Sequence, residues 1–118
     1  MKDLLEQNEC VLIATLKLFS AKWKPCILSQ LMVQEKRYSQ LKRLIPNISK
    51  KMLTEHLREL EKDGLIHREV FPSVPPQVTY SLSEKGQSLQ PIFLAISNWG
   101  ISNLENVSSM EAMLNTEF

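Results

Sequence analysis

The sequence predicts a mainly α-helical domain carrying one small β-hairpin. Three observations predict it: apolar residues recur at helical spacing in several stretches, apolar–polar alternation is confined to residues 66–82, and proline, glycine or a capping residue punctuates each junction. At 118 residues the chain is long enough for a real core but short for a catalytic domain with a separate regulatory one. Residues 1–104 are expected to form the domain with its flanking helices, and residues 105–118 a tail.

Leu12, Leu16 and Phe19 place a first helix that begins near residue 3 or 9 and runs to 20. Trp23, Ile27, Leu28 and Leu31 define the inward face of a second helix, and Trp23 reads as a core residue. Pro25 is tolerated there because first-turn N–H groups have no intrahelical acceptor to lose. Ser39 is expected to cap a short third helix whose Leu41, Leu44 and Ile45 face inward; Pro46 ends it by disfavouring helical geometry at Ile45. The turn is Pro46, Asn47 and Ile48.

Ser49 then caps a fourth helix, residues 49–62, expected to bury Met52, Leu53, Leu57 and Leu60 and to stop at Gly64, the residue type best suited to a left-handed C-terminal position. A step of about 100° per residue sets Lys51, Glu55, Arg58 and Lys62 opposite Leu53, with Lys50 and Thr54 flanking.

Past Gly64 the period changes to two. Ile66, Arg68 and Val70 alternate with His67, Glu69 and Phe71, and Val78, Tyr80 and Leu82 with Thr79, Ser81 and Ser83. The connection through Pro72, Pro75 and Pro76 is stiff and poor in donors, so the tip should project rather than pair. Ser83 is expected to cap a last long helix carrying Leu89, Ile92, Phe93, Ile96 and Trp99, with Pro91 marking a kink or a restart. Ser108 and Glu111 have capping-box spacing for a short helix in the tail, with fraying as the alternative.

The formal charge of +1 conceals an asymmetry. Residues 36–62 hold eight lysines and arginines against three carboxylates, whereas residues 63–118 hold two against six. A basic block between neutral and acidic flanks is the footprint of a polyanion-binding surface, against the plainer reading of a solvated helical face. No apolar run approaches the roughly 20 residues needed to span a bilayer, and the acidic opening residues do not resemble a secretory signal. Two cysteines without CxxC spacing fit a reducing compartment, so a cytoplasmic protein is expected.

The order helix, helix, helix, turn, helix, hairpin, helix is that of a winged helix-turn-helix, in which the helix after the turn enters the major groove. The residues also resemble a family. Lys22-Trp23-Lys24 with Ile27-Leu28, Leu41-Lys42-Arg43 with Ile45-Pro46, and Ile48 through Thr54 are similar to the HxlR-type regulators of the broader MarR-like class. So are Leu57-Arg58-Glu59-Leu60-Glu61, Asp63-Gly64-Leu65-Ile66, Pro75-Pro76, Tyr80 through Ser83, Gly86, Leu89 and Trp99. The resemblance covers Cys10 to about Gly100 and implies a dimeric DNA-binding regulator. Ser20-Ala21, Asn47 and Gln77 depart from it, standing where a glycine pair, a glycine and an arginine are common.

On this reading the chain reads a pseudo-palindromic duplex as a homodimer, with helix 49–62 in the major groove and wing 66–82 near the adjacent groove. Ser39, Lys42, Arg43, Ser49, Lys50, Lys51, Thr54, Arg58 and Gln77 are the expected DNA-contacting residues. With Gln77 in place of a cation, the wing should add little to phosphate binding. Leu12, Leu16, Phe93, Ile96 and Trp99 are candidates for the dimer interface, the alternative being that their helices only close the monomer's core.

Cys10 matches the position of a thiol that some relatives use to sense oxidants or electrophiles. A helix N-terminus favours the thiolate, Glu9 beside it opposes that, and a free cysteine can equally well just pack. Cys26 reads as a small core residue, and His56 as a satisfied structural histidine at the edge of the buried face. No metal-ligand spacing, phosphate-cradling glycine loop or nucleophile elbow is present, so no metal, cofactor or enzymatic activity is expected. A winged-helix protein-interaction module is the rival reading; the basic segment argues against it.

Overall fold

A computed structural model describes residues 10–104. Its elements are α1 (Val11–Lys17), α2 (Lys24–Val33), β1 (Lys36–Arg37), α3 (Tyr38–Leu44), α4 (Lys50–Lys62), β2 (Ile66–Phe71), β3 (Gln77–Leu82), α5 (Glu84–Gln87) and α6 (Gln90–Asn103). The expected start of the first helix at residue 3 or 9 and the expected tail helix lie outside the described residues. None of the described helices is long and apolar enough to cross a membrane.

The core is built by the residues whose periodicity announces it. Ile27, Leu28, Leu41, Ile48, Leu53, Leu57, Leu60, Leu65 and Ile66 are fully buried, each burial worth about 1.5–3 kcal/mol before chain entropy is counted. Trp23 packs against this core from the N-cap of α2, its ring covered by the Lys22 ammonium 4.8 Å from the centroid.

Several boundaries differ from expectation for physical reasons. Helix α1 ends at Lys17, not 20: Leu18 and Phe19 donate to Thr15 and Leu16, a tightened last turn. That turn delivers Phe19 into the core, edge-on to Phe93 at 5.1 Å. Ser39 does not cap α3; it lies inside the helix, whose N-cap is Arg37, and Gln40 Oε1 reaches back to accept from the Arg37 backbone N–H at 2.8 Å. Met52 is exposed rather than buried, and His56 takes the place expected for it on the inner face of α4. The expected hairpin is part of a three-stranded antiparallel sheet in the order β1-β3-β2, because Lys36 and Arg37 pair with Tyr80 and Thr79. A two-residue strand is too short to show any period in sequence.

The other junctions follow sequence logic. Ser49 Oγ accepts from Met52 N at 3.0 Å, and Gly64 adopts φ +78°. Asn47, where glycine was the resembling choice, has φ +70°; asparagine is among the side-chain-bearing residues that best tolerate this region. Ser83 caps only the four-residue α5, and the chain restarts as α6 with Pro91 in the first turn, so the restart rather than the kink is what occurs.

Candidate nucleic-acid interface

Helices α3 and α4, joined by the Asn47 turn, form the helix-turn-helix. The first is tied to the second on its outer side: the Tyr38 hydroxyl donates to Lys50 O at 3.1 Å and lies 3.2 Å from Thr54 Oγ1. This contact, invisible to periodicity, fixes the N-terminal turn of α4 and engages the Thr54 hydroxyl. Thr54 is thereby half-buried, while Ser49, Lys50, Lys51 and Arg58 are exposed.

Among the described residues, none of Lys50, Lys51 or Arg58 carries an ion pair. Arg43 and Ser39 are exposed on α3 and Lys42 is half-buried; all three belong to the helix preceding the turn. Gln77 opens β3 opposite Phe71, beside the projecting loop whose Val74 is fully exposed. Gln77 shares a recess of about 400 Å³ with Arg37, Gln40 and Thr79. Arg37 was not among the expected DNA-contacting residues; only the β1 pairing brings it beside the wing.

Two charges leave the basic footprint. Lys36 is buried and donates to Gln30 O at 3.1 Å and Gln34 O at 3.3 Å, which satisfies carbonyls at the C-terminal end of α2. Glu59 is paired with Lys24 from outside the block, at 2.5 Å. The Lys24 side chain is 7% exposed and that of Glu59 55%, so a buried lysine meets a solvent-reaching partner. The hydrogen bond from Lys24 holds the Glu59 carboxyl below its usual range.

His56, next to this pair, is not the satisfied histidine expected: its Nδ1 is buried with no hydrogen-bond partner. Burial first, and the Lys24 charge second, push its pKa below the ordinary histidine value.

Cys10 stands at the N-cap of α1 with an exposed thiol, whereas Cys26 is half-buried and its thiol is pushed up by burial. Among the described residues no three metal-ligating side chains gather in one place. Leu12 and Leu16 on α1, and Ile96 and Trp99 on α6, are exposed together with their neighbours Ile13, Ile92 and Leu94. Phe93 is half-buried against Phe19 and so serves the monomer's core.

Residues 18–108 match the family described as HxlR-like helix-turn-helix. The chain is 42% identical over 108 residues to the HTH-type transcriptional regulator YdeP of Bacillus subtilis (strain 168), covering 92% of this chain and 84% of that protein. The structure of the redox regulator HypR in its oxidised form is similar at a TM-score of 0.76 and 44% identity, over 81% of this chain and 99% of that one. A MarR-family regulator from Porphyromonas gingivalis W83 is similar at a TM-score of 0.76 and 41% identity, over 81% and 94%. The chain therefore belongs to the HxlR-like helix-turn-helix family, and it is a transcriptional regulator rather than an enzyme.

Proposed function

We propose that this regulator reads a pseudo-palindromic duplex as a cytoplasmic homodimer, with α4 in the major groove and the wing beside the adjacent groove. The observation that carries the reading is the exposed cationic face of Lys50, Lys51 and Arg58 on the helix that follows the turn, without an ion pair among the described residues. Cations of this kind neutralise phosphates, while Ser49, Lys50 and Lys51 at the open end of α4 are the candidates for base edges, and Arg58, about two turns further along, can reach a guanine or a phosphate. Ser39, Lys42 and Arg43 on α3, and Gln77 at the wing, supply further backbone contacts, and Thr54 acts within its hydrogen bond to Tyr38.

The apolar faces of α1 and α6 support dimerisation through Leu12, Leu16, Ile96 and Trp99, since such side chains are costly to leave in water together. The exposed Cys10 thiol at the start of α1 supports a redox response acting on that same surface.

The test is fluorescence anisotropy of the reduced protein with a duplex it enriches from a random pool, against a shuffled duplex, over several salt concentrations. Selective binding whose log–log salt slope loses about 0.9 in Lys51→Ala is expected. A wild-type protein that enriches no sequence and ignores duplex at low salt refutes the reading. Oxidation should weaken binding by wild type and leave Cys10→Ser unaffected; equal loss in both removes Cys10 from the mechanism.

A further inference from the structure

A recess of about 350 Å³ lies between α4 and the wing, lined by Thr54, Leu57, Arg58, Glu61, Arg68 and Tyr80. Arg68 is out of pattern there. It pairs across the sheet with Tyr80, and Ile66 pairs with Leu82, so these four side chains leave the same face of the sheet. Ile66 and Tyr80 are buried in the core. The alternation therefore assigns Arg68 to the side of the hairpin that packs on the helices, where an apolar residue is the ordinary choice. Arg58 borders the same recess from α4, one turn after Thr54.

Among the described residues neither guanidinium has a hydrogen-bond or ion-pair partner, and Glu61, the carboxylate of the lining, is paired with neither. Two arginines against one carboxylate leave the recess short of one negative charge, which is the charge of a single phosphodiester. The planar guanidinium fork matches phosphate oxygens two at a time.

We infer that this recess is a seat for one backbone phosphodiester of duplex DNA, held between Arg58 of α4 and Arg68 of the wing strand. The inference rests on the DNA-reading function proposed above. It revises the expectation of a weak wing: the contribution comes from the inner face of the strand and not from the tip at Gln77. The duplex is the natural source of the anion because Arg58 belongs both to the recess and to the exposed cationic face of α4, so whatever lies along that face is continuous with the seat.

The experiment repeats the anisotropy titration with full-length Arg68→Gln and Glu61→Gln, each checked for folding by circular dichroism. Arg68→Gln should lower the salt slope by about 0.9 and weaken binding on the order of tenfold at 0.1 M salt. Glu61→Gln should tighten binding severalfold, because it removes the like charge beside the phosphate. A duplex series with single neutral methylphosphonate linkages should contain one position at which Arg68→Gln costs nothing further. Wild-type binding that Lys51→Ala weakens but Arg68→Gln leaves unchanged in slope and affinity overturns the seat alone. Absence of any duplex binding by wild type overturns both proposals.

Discussion

Replacing Gly86 by alanine probes the packing that holds the wing to the last helices. Gly86 is buried in α5, and a Cβ there would lie 2.1 Å from Leu65 O, 3.1 Å from Leu82 Cδ2 and 3.2 Å from Leu65 C. The leucine side chain can turn away; the carbonyl cannot, because it accepts from Ser83 N at 3.0 Å and belongs to a buried residue. Relief requires α5 to move off the strand. That displaces the Ser83 hydroxyl, which donates to Gly64 O at 2.6 Å and accepts from Gly86 N at 3.0 Å. Overpacking costs about 1–3 kcal/mol. Weakening one of these hydrogen bonds adds about 1 kcal/mol, and the better helix propensity of alanine returns roughly 1 kcal/mol.

The net expectation is a loss of about 2 kcal/mol, read as a fall of about 1 M in the urea midpoint at an unchanged slope. Gly64→Ala is the internal control. The nearest atom to its added Cβ is Lys85 Cδ at 4.0 Å, so only the left-handed φ of +78° is penalised, at about 1–2 kcal/mol. If Gly86→Ala stays within a few tenths of a kcal/mol of wild type, the clash is absorbed without cost and the packing argument fails.

Other perturbations isolate single features. Ser49→Ala removes the acceptor for Met52 N and should cost about 1 kcal/mol in a thermal melt, whereas Ser49→Asp keeps the cap and most of the stability. At the turn, Asn47→Gly should stay within about 0.5 kcal/mol of wild type and Asn47→Ala should lose about 1 kcal/mol, because φ is +70° there; equal stabilities would show that the turn relaxes. His56 has a folded pKa below its unfolded one, so the unfolded chain binds the proton more readily and stability falls as pH drops below about 6.5. A denaturation series from pH 7 to 5 should show that slope in wild type and not in His56→Gln; an identical slope in both assigns it elsewhere. Glu59, depressed by its Lys24 hydrogen bond, adds a second loss below about pH 4.5 that Glu59→Gln should abolish.

Much of the helix-turn-helix was legible because its signals are local. The Ser49 cap, the inward Leu53, Leu57 and Leu60, and the Gly64 stop all depend on residues within a turn or two of one another. The errors share the opposite character. Met52 and His56 lie one turn apart on the same edge of the apolar arc, and which of the two is covered depends on where α2 brings Lys24. Ser39 has the right chemistry for a cap, but the strand pairing of Arg37 starts α3 two residues earlier and Gln40 does the capping instead.

The same division runs through the candidate interface. Lys50, Lys51 and Arg58 could be found from charge and helical spacing alone, since solvent-facing cations need no tertiary partner. Lys36 belongs to the same basic run, yet its ammonium is spent on carbonyls of α2 that no pattern in the sequence connects to it. Arg37 and Tyr38 left no periodic signal, because their roles arise from a two-residue strand and a hydroxyl contact across the turn.

By itself, then, the sequence determined the order of the helices, the cap and stop of α4, the Leu53, Leu57 and Leu60 stripe and the cationic face of α4, because hydrophobic period, capping chemistry and charge act over a few residues. The third strand, the burial of His56 beside the Lys24–Glu59 pair, the clash waiting at Gly86 and the meeting of Arg58 with Arg68 were decided only by tertiary structure. Each joins residues about ten to more than forty positions apart, and at such separations contact is set by how whole elements pack and not by any local preference of the chain.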